Sequence, residues 1–222
     1  MLSLPVGILI VLAVSFLLGS IPFGVIIARV GYRADPRDGG SHSIGMTNMN
    51  RLFGFKAAAL TFAGDVAKGA LAAGFARLLL PYIALSGIAA HDGLLICAVL
   101  GSMFGHMFCP WLGFKGGKGI STGFGSIIVA FPLVCLCITG CFAVGAALTK
   151  TVSAGSICAG IGFPVFTCVF HWGSWLLVAV SIVVGVAVVY AHRGNIQRLR
   201  AGQEPKFSFN FGAKGPGGTG QG

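Results

Sequence analysis

A glycine-rich segment with two lysines, FKGGKGIS at residues 114–121, stands out in an otherwise apolar sequence. Because glycine has no side chain, backbone N–H groups in such a segment can approach an anion closely, and Lys115 and Lys118 add positive charge. A helix beginning near Ser121 would contribute the partial positive charge of its N-terminus. These residue types at this spacing are suited to binding phosphate. The alternative is that the lysines only orient a membrane protein.

The segment is not a nucleotide-binding P-loop. That motif has four residues between its first glycine and the Gly-Lys pair, and a Ser or Thr after the lysine. Here three residues separate Gly113 from the pair Gly117-Lys118, and Gly119 follows. The hydroxyl that would bind magnesium is therefore missing, and only the general features of an anion site remain.

Apolar helices are the elements that would position this segment. The chain is 55% hydrophobic and 9% charged, whereas charged residues make up about a quarter of a typical soluble domain. Apolar stretches of membrane-spanning length recur along the chain. We therefore expect an all-α, polytopic integral membrane protein with a single domain at residues 1–208 and a disordered glycine- and proline-rich tail at 209–222. The seven cysteines lie almost wholly in apolar stretches, which favours packing over disulfides or metal binding.

The predicted spans are residues 4–28, 57–80, 94–114, 120–148, 154–170 and 174–191. The stretch 120–148 is ambiguous, because its helix would be about 43 Å long at about 1.5 Å per residue. That length suits one generous crossing or two short ones. Pro132 and Gly140 offer break points, since non-helical backbone is tolerated at membrane depth where protein buries it.

Basic residues predict the orientation of these spans. They are concentrated in the polar segment 29–56, in the glycine-rich segment, at Lys150 and in the tail from His192, and residues 81–93 contain none. By the positive-inside rule, all four basic segments and the C-terminus face the cytoplasm, and the N-terminus faces out. Residues 120–148 must then leave and return as a short, re-entrant pair of helices. This interpretation gives about seven transmembrane helices.

A series of motifs extends over residues 19–206. They are GSIPFG at 19–24, GS and GMTN with a following Arg and Gly within 40–54, D..KG at 65–69, GH.F and FKGGKG..T within 105–122, T..VS..S at 149–156, and HR.NI.RL..G.E.K at 192–206. In content and order they resemble the acyl-phosphate:glycerol-3-phosphate acyltransferase family of bacterial membranes, the PlsY family. Three positions depart from that pattern: the sequence reads Gly-Ser-His-Ser at 40–43 instead of Gly-Ser-Gly-Asn, and Met107 replaces a common Asn.

The resemblance implies an enzyme that transfers a fatty acyl group from acyl phosphate to the 1-hydroxyl of glycerol 3-phosphate, giving lysophosphatidic acid and phosphate in bacterial phospholipid synthesis. It implies no nucleotide, metal or coenzyme A, an inner-membrane location with the site facing the cytoplasm, a soluble partner enzyme that makes acyl phosphate, and no nucleic acid partner. The residues agree with this, because cationic loops suit two phosphorylated substrates. Acyl phosphate carries a good leaving group, so positioning and charge stabilisation can replace a strong nucleophile.

Residue types and resemblance together suggest two sets of site residues. The expected catalytic set is Ser41, Arg51, Lys118, His192 and Asn195. Arg51 and Lys118 are expected to bind phosphate. His192, which shares a face with Asn195 if the segment is helical, is either a phosphate donor or the base for the glycerol hydroxyl, and the substrate phosphate is the alternative base. The expected substrate-binding set is Asn48, Lys115, Gly116, Gly117, Gly119, Ser153, Ser156, Arg198 and Glu204, in which Glu204 orients a cation such as Arg198 or Lys206.

Other charged residues in apolar stretches receive different interpretations. Asp65 and Lys68, three residues apart, are expected to form an intramembrane ion pair that packs helices, with a proton path as the alternative. His106 is expected to lie behind the site. The remaining acidic and histidine residues of the apolar stretches, His91, Asp92 and His171, are expected to lie away from it.

Two other classes of protein compete with an acyltransferase. A transporter of organic phosphates also needs cations among its helices, but repeat-related halves and mid-bilayer cations are typical of transporters, and no internal repeat is visible. A metal-dependent phosphatase would need carboxylates or histidines at metal-ligand spacing, which the basic segments do not offer.

Overall fold

The computed structural model describes residues 1–84 and 87–206. Its helices are α1 (Leu4–Gly19), α2 (Phe23–Tyr32), α3 (Met46–Leu79), α4 (Ile88–Met107), α5 (Ile120–Ala130), α6 (Pro132–Thr149), α7 (Val152–Phe170), α8 (Trp175–Ala191) and α9 (Arg193–Arg200). The described chain is thus helical, with one isolated β-bridge between Leu2 and Ile83, and the all-α prediction is confirmed. The tail predicted to be disordered, residues 209–222, lies outside the described residues.

Four helical segments of the described chain are long and apolar enough to cross a membrane: Leu4–Tyr32, Ala90–Leu112, Pro132–Thr149 and Val152–Phe170. A fifth results if α8 and α9, which are bent by 55° at their junction, count as one span. The predicted number of about seven is therefore not confirmed. The expected orientation, with the N-terminus outside and the C-terminus in the cytoplasm, stays a prediction.

Helix α4 is the central helix of the bundle. In the most apolar part of its candidate span, 72% of the residues are buried, against 22–44% in the other three spans. Leu94, Leu95, Ile96 and Val99 are at most 1% exposed. Its burial comes from the surrounding helices, because α4 packs against α1, α3, α5 and α8.

Helix boundaries differ from the sequence prediction in the first third of the chain. The predicted helix 4–28 is interrupted between α1 and α2, where Pro22 has no N–H to donate to the helical ladder. The segment 29–56 was expected to be a loop, but α3 already begins at Met46. Gly54 interrupts α3 with a φ of 82°, a left-handed conformation that favours glycine.

Close backbone contacts at small residues hold the helices together. A Cβ atom added to Gly105 of α4 would lie 2.1 Å from the Phe16 carbonyl oxygen of α1, and one added to Gly69 of α3 would lie 2.0 Å from the Thr122 carbonyl oxygen of α5. Only glycine permits such an approach, which is the usual means of packing helices that lack a hydrophobic driving force in lipid.

The stretch 120–148 consists of two helices, as predicted, and the break lies at Phe131–Pro132. Pro132 occupies the first turn of α6, where its missing N–H costs nothing, and Gly140 lies inside α6. Helix α5 has only 11 residues. The guanidinium group of Arg77 donates to the carbonyls of Val129 (2.9 Å) and Ala130 (3.2 Å) at the end of α5, so these carbonyls have partners although the helix stops.

Candidate active site

A cavity of about 330 Å³ opens where α5, α7 and α9 begin. It is lined by parts of the segment before α3, the glycine-rich segment, the start of α7 and the segment from His192 to Lys206. The structure therefore brings together four segments that are far apart in sequence. The predicted residues that line it are Ser41, Asn48, Arg51, Lys118, Gly119, Ser153, Ser156, His192, Asn195, Arg198 and Glu204.

A chain of polar contacts crosses this cavity. The Lys118 ammonium donates to Asn195 Oδ1. Asn195 Nδ2 in turn donates to Glu204 Oε1 at 2.6 Å, and Arg198 Nε donates to Glu204 Oε2 at 2.7 Å. Glu204 thus orients Arg198, as predicted, and also fixes the amide of Asn195 so that its oxygen faces the lysine. Helix α9 places Asn195 and Arg198 three residues apart on one face.

The charges around Lys118 change its proton affinity. Burial of the ammonium, together with the positive charges of Arg198 and Arg51, lowers the pKa of Lys118 to about 8, although Glu204 acts in the opposite direction. Burial alone would raise the pKa of Glu204, but the polar side chains of Asn195, Ser153 and Arg198 outweigh it and lower that pKa. The side chains that line the cavity include four basic ones, Arg51, Lys118, Arg198 and Lys206, and two carboxylates, Asp65 and Glu204. The excess of positive charge favours binding of an anion.

His192 is buried at the bend between α8 and α9 and is 2% exposed. Its Nδ1 lies 2.8 Å from the Val188 carbonyl oxygen. Because a carbonyl only accepts, Nδ1 carries the proton and the lone pair of the neutral ring is on Nε2. Burial and the positive charge of Lys118 lower the pKa of His192 to about 4. The ring is therefore neutral near pH 7 and can accept a hydrogen bond.

Asn48 organises the loop that carries Ser41. Its Oδ1 accepts from the Ser41 N–H at 2.8 Å, and its Nδ2 donates to the carbonyls of Pro36 and Ser43, each at 2.8 Å. The amide is 1% exposed and its groups are used within the loop. The expectation that Asn48 binds substrate directly does not agree with this geometry, which instead positions Ser41 at the cavity.

The same loop is pinned at its start by Asp35. The carboxylate accepts from the backbone N–H of Arg37 at 3.0 Å and pairs with the guanidinium groups of Arg37 and Arg29 at 2.7 and 3.2 Å. Hydrogen bonding from Arg37, which outweighs the effect of burial, holds the pKa of Asp35 well below its usual range. The carboxylate of Asp35 therefore stays charged, and keeps its pairing with both arginines, down to a pH well below the usual carboxylate range.

The glycines of the glycine-rich segment serve two different purposes. The N–H groups of Gly116 and Gly117 donate to the carbonyls of Met107 and His106 at the end of α4, at 3.0 and 3.1 Å. A Cβ at Gly116 would lie 1.8 Å from the His106 oxygen. The prediction that these two N–H groups bind phosphate does not agree with this geometry, because they already have partners. Gly119, with a φ of 78°, lies at the cavity and begins α5.

Lys115 does not line the cavity. Its side chain is exposed and lies next to the exposed ring of Phe114. The two lysines of the segment therefore differ in position, although they differ by only three residues in sequence. The prediction of Lys115 as a substrate-binding residue has no support from this arrangement.

A second cavity of about 260 Å³ adjoins the first and is lined almost entirely by apolar side chains. Phe62, Ile120, Ser121 and Phe142 line both cavities. The apolar cavity continues between α4, α5, α6, α7 and α8, where Met103, Ile127, Phe163 and Val188 contribute to its wall. A cationic cavity thus opens directly into an apolar one.

The charged residues of the apolar helices lie in two places. Asp65 and Lys68 form the predicted ion pair, with 2.8 Å between Oδ1 and Nζ. Asp65 and His106 also line the cationic cavity, which the sequence interpretation of His106 missed. The available signal was their occurrence in apolar stretches, where ionisable residues are rare and usually functional.

The remaining cluster does not line the cavity, as predicted. It consists of Asp92 near the start of α4, with His91, His171 and Ser174 around it. Within the described ranges, no group of three or more His, Cys, Asp or Glu side chains is arranged to hold a metal ion.

Fold and site define an integral membrane protein with a cationic site that opens into an apolar cavity. The sequence model of the family described as glycerol-3-phosphate acyltransferase matches residues 9–202. A glycerol-3-phosphate acyltransferase of Parasynechococcus marenigrum is 41% identical over 199 residues, 89% of each chain, and that of Fusobacterium nucleatum is 35% identical over 198 residues, 89% of this chain and 97% of the relative.

A solved structure is also similar. PlsY (YgiH), an integral membrane glycerol 3-phosphate acyltransferase in its glycerol 3-phosphate form, superposes with a TM-score of 0.79 at 32% identity, over 90% of this chain and 96% of that one. Its lysophosphatidic acid form gives a TM-score of 0.76 at 31% identity, over 91% and 96%. The chain therefore belongs to the glycerol-3-phosphate acyltransferase family and is a multi-pass membrane acyltransferase.

Proposed function

We propose that this enzyme transfers the acyl group of a fatty acyl phosphate to the 1-hydroxyl of glycerol 3-phosphate, giving lysophosphatidic acid and inorganic phosphate. The reaction uses no nucleotide, metal or coenzyme A. Membership of the family and the similarity to PlsY structures in glycerol 3-phosphate and lysophosphatidic acid forms support the acceptor and the product class. The donor is proposed from the motif resemblance, and a cationic cavity that opens into an apolar one is compatible with it.

The observation that carries this proposal is the junction of the two cavities. Phosphorylated groups of both substrates fit the cationic cavity, where Lys118, Arg51 and Arg198 supply positive charge. An acyl chain fits the apolar cavity, whose entrance is shared at Ile120 and Phe142. An acyl phosphate has its reactive carbonyl between a phosphate and a chain, so this carbonyl would lie at the junction.

In the reaction, the glycerol oxygen forms a bond to the acyl carbonyl carbon, and the bond from that carbon to the phosphate oxygen breaks. The leaving phosphate takes up the electron pair. Lys118 and Arg198 stabilise the negative charge that develops on it, through charge-assisted hydrogen bonds. Such stabilisation, with both substrates held side by side, accounts for catalysis without a covalent enzyme intermediate.

His192 is proposed to orient the attacking hydroxyl. Its Nε2 lone pair is available, because Nδ1 is fixed by the Val188 carbonyl. With a pKa of about 4, the ring is a weak base and holds a proton poorly near pH 7. We therefore assign it the role of hydrogen-bond acceptor for the hydroxyl. The proton passes finally to the departing phosphate, because the oxygen that receives the electron pair of the broken bond is more basic than this imidazole.

The proposed location is a bacterial inner membrane, with the cationic cavity facing the cytoplasm. The basic residues of the loops around this cavity support that orientation by the positive-inside rule. Glycerol 3-phosphate would enter from the aqueous phase and the acyl chain from the lipid. A soluble enzyme that makes acyl phosphate is the proposed partner.

The test is acyl transfer by detergent-purified protein with glycerol 3-phosphate as acceptor. We expect lysophosphatidic acid from acyl phosphate, none from acyl-CoA, and the same rate after treatment with a chelator. Transfer from acyl-CoA at a comparable rate would contradict the proposed donor. Activity that a chelator abolishes and a divalent ion restores would contradict the proposed metal-independent reaction.

A further inference from the structure

Three ionisable side chains are buried at the wall of the cationic cavity. Asp65, Lys68 and His106 are 1%, 1% and 4% exposed. The Lys68 ammonium has three oxygen or nitrogen neighbours at 2.8 Å: Asp65 Oδ1, the Ile21 carbonyl oxygen and His106 Nδ1. An ammonium group has three hydrogens to donate, so all of them are used.

This arrangement determines where His106 carries its proton. A protonated lysine donates and cannot accept, so Nδ1 of His106 must present its lone pair to Lys68. A neutral imidazole with an accepting Nδ1 has its hydrogen on Nε2. The same Nδ1 lies 3.5 Å from Asp65 Oδ1, which is longer than a normal hydrogen bond.

The Nε2 atom of His106 lies beneath the glycine-rich segment. A Cβ added to Gly117 would be 2.2 Å from Nε2, so only glycine leaves room for the ring there. Two backbone hydrogen bonds hold this segment on the end of α4 beside His106. Among the described residues Nε2 has no hydrogen-bond partner, and His106 lines the cavity together with Lys118. A donor on the wall of a cavity can bind an acceptor that a ligand supplies there.

We propose that His106 is a further substrate-binding residue of this acyltransferase. Lys68 holds its ring in one tautomer, and the Nε2–H donates to an oxygen of the phosphate group that Lys118 binds. The proposal rests on the proposed use of this cavity for phosphate. The phosphate belongs either to glycerol 3-phosphate or to the acyl phosphate, and the same chemistry would bind both.

Two substitutions separate this role from a purely structural one. In His106→Asn the side-chain oxygen can replace Nδ1 as the acceptor for Lys68, but nothing replaces the Nε2–H. In His106→Gln the amide nitrogen can replace Nε2 as a donor, but the contact with Lys68 is lost. Substrate binding predicts that Gln retains more activity than Asn, whereas support of the Lys68–Asp65 pair predicts the reverse.

The measurement is kcat and KM for each substrate separately, on purified wild-type and variant proteins. We expect His106→Asn to lower kcat/KM by roughly 10- to 150-fold, the loss of one hydrogen bond to a charged group, and His106→Gln to retain most activity. The substrate whose KM rises is the one that His106 contacts. Equal activity of His106→Asn and wild type, or a larger loss in His106→Gln than in His106→Asn, would overturn the proposal.

Lys118→Ala, measured in parallel, separates this proposal from the proposed function. If Lys118→Ala is impaired and His106→Asn is not, only the role of His106 is wrong. If neither is impaired, the phosphate site itself lies elsewhere. The wild-type protein gives a readout that does not depend on folding of a variant: in ¹⁵N NMR of the histidine rings in liposomes, Nε2 of His106 should be protonated and should shift when glycerol 3-phosphate is added. An Nδ1-protonated ring, or no shift at saturating substrate, would also contradict the proposal.

Discussion

Two clusters of charged residues lie at opposite ends of α4. They contain similar types of residue but differ in their charge balance and surroundings. At the start of α4, Asp92 Oδ2 accepts from Ser174 Oγ at 2.7 Å and lies 2.9 Å from His171 Nδ1. At the end of α4, Lys118 and Arg198 share the single carboxylate Glu204 through Asn195 and a direct bond. Each cluster has a buried carboxyl group and at least one histidine nearby.

The difference is in the balance of charge and in the space around it. The carboxylate of Asp92 is surrounded by donors that tie α4 to the turn between α7 and α8, which is a structural use. The cluster with Glu204 has more cations than carboxylates and opens into a cavity. Both a substrate site and a helix junction can contain a histidine and a carboxylate. The comparison teaches that the substrate site is distinguished by an excess of one charge at the wall of a cavity.

The largest effect that would sharpen this comparison is expected at Lys118. In Lys118→Ala the charge-assisted contact with phosphate is lost, at a cost of roughly 1.5–3 kcal/mol, so acyl transfer should fall by roughly 10- to 150-fold. The matched control is Lys115→Ala, which should retain nearly full activity because Lys115 is exposed and does not line the cavity. Steady-state kinetics on folded single variants decide. Equal losses at both positions would mean that the segment acts as a topology signal.

The pH dependence of the cationic cluster should be nearly as large. In the proposed site, Lys118 binds phosphate in its protonated form. With a pKa of about 8, that form predominates below this pH and is lost as the pH rises through it. We expect kcat/KM for glycerol 3-phosphate to fall about tenfold per pH unit above about 8. Lys118→Arg should lose this limb, because arginine stays protonated. A wild-type profile that is flat up to pH 10 would contradict the protonation state assigned to Lys118.

A smaller loss is expected when the carboxylate of the site becomes neutral. Glu204→Gln keeps the shape but weakens the hydrogen bonds that hold Asn195 and Arg198, and such bonds to a charged group are worth about 1.5–3 kcal/mol to the arrangement. Because Gln can still make part of them, we expect kcat/KM to fall about 5- to 20-fold, mainly through a rise in KM. The melting temperature should change little. A rise in activity would show that Glu204 repels substrate rather than positions its ligands.

The smallest effect on activity is expected in the other cluster. Asp92→Asn removes the charge that binds His171 and Ser174, so we expect a melting temperature in detergent lower by several degrees, about 1–3 kcal/mol of stability. The turnover of the folded fraction should stay within about twofold of wild type. A tenfold loss of turnover without loss of stability would mean that this end of α4 takes part in the reaction, and the comparison would fail.

Much of the fold and the site could be predicted from local signals. Apolar length predicts the long helices, and the break before α6 follows from Pro132, which lacks an N–H. The grouping of Lys118, Asn195 and Glu204 follows from the two motifs that contain them and from residue types that suit a phosphate site. Each of these depends on a property that a residue has in any surroundings.

The remaining features depend on which hydrogen-bond partners the folded chain supplies, and residue type alone does not predict these partners. Asn48 has the side chain of a substrate ligand, yet three backbone groups of its own loop use its hydrogen bonds. The N–H groups of Gly116 and Gly117 are taken by the end of α4. Nothing in the local sequence shows that Arg77 donates hydrogen bonds to the last carbonyls of α5, which are 52 and 53 residues away. Such competition for hydrogen bonds is decided only when the helices meet.

The shortness of α5 has a consequence for where two immiscible reactants meet. Eleven residues reach about 16 Å, whereas the 18 residues of α6 reach about 27 Å, and the hydrocarbon layer of a bilayer is about 30 Å thick. At the end of α5, the ring of Phe131 contacts His171 at the end of α7, with 5.3 Å between ring centroids. Helix α5 is therefore too short to cross the hydrocarbon layer, and its first residues, Ile120 and Ser121, line both cavities. In the proposed reaction, a water-soluble acceptor would meet an alkyl chain at this junction, and neither would have to leave its own solvent.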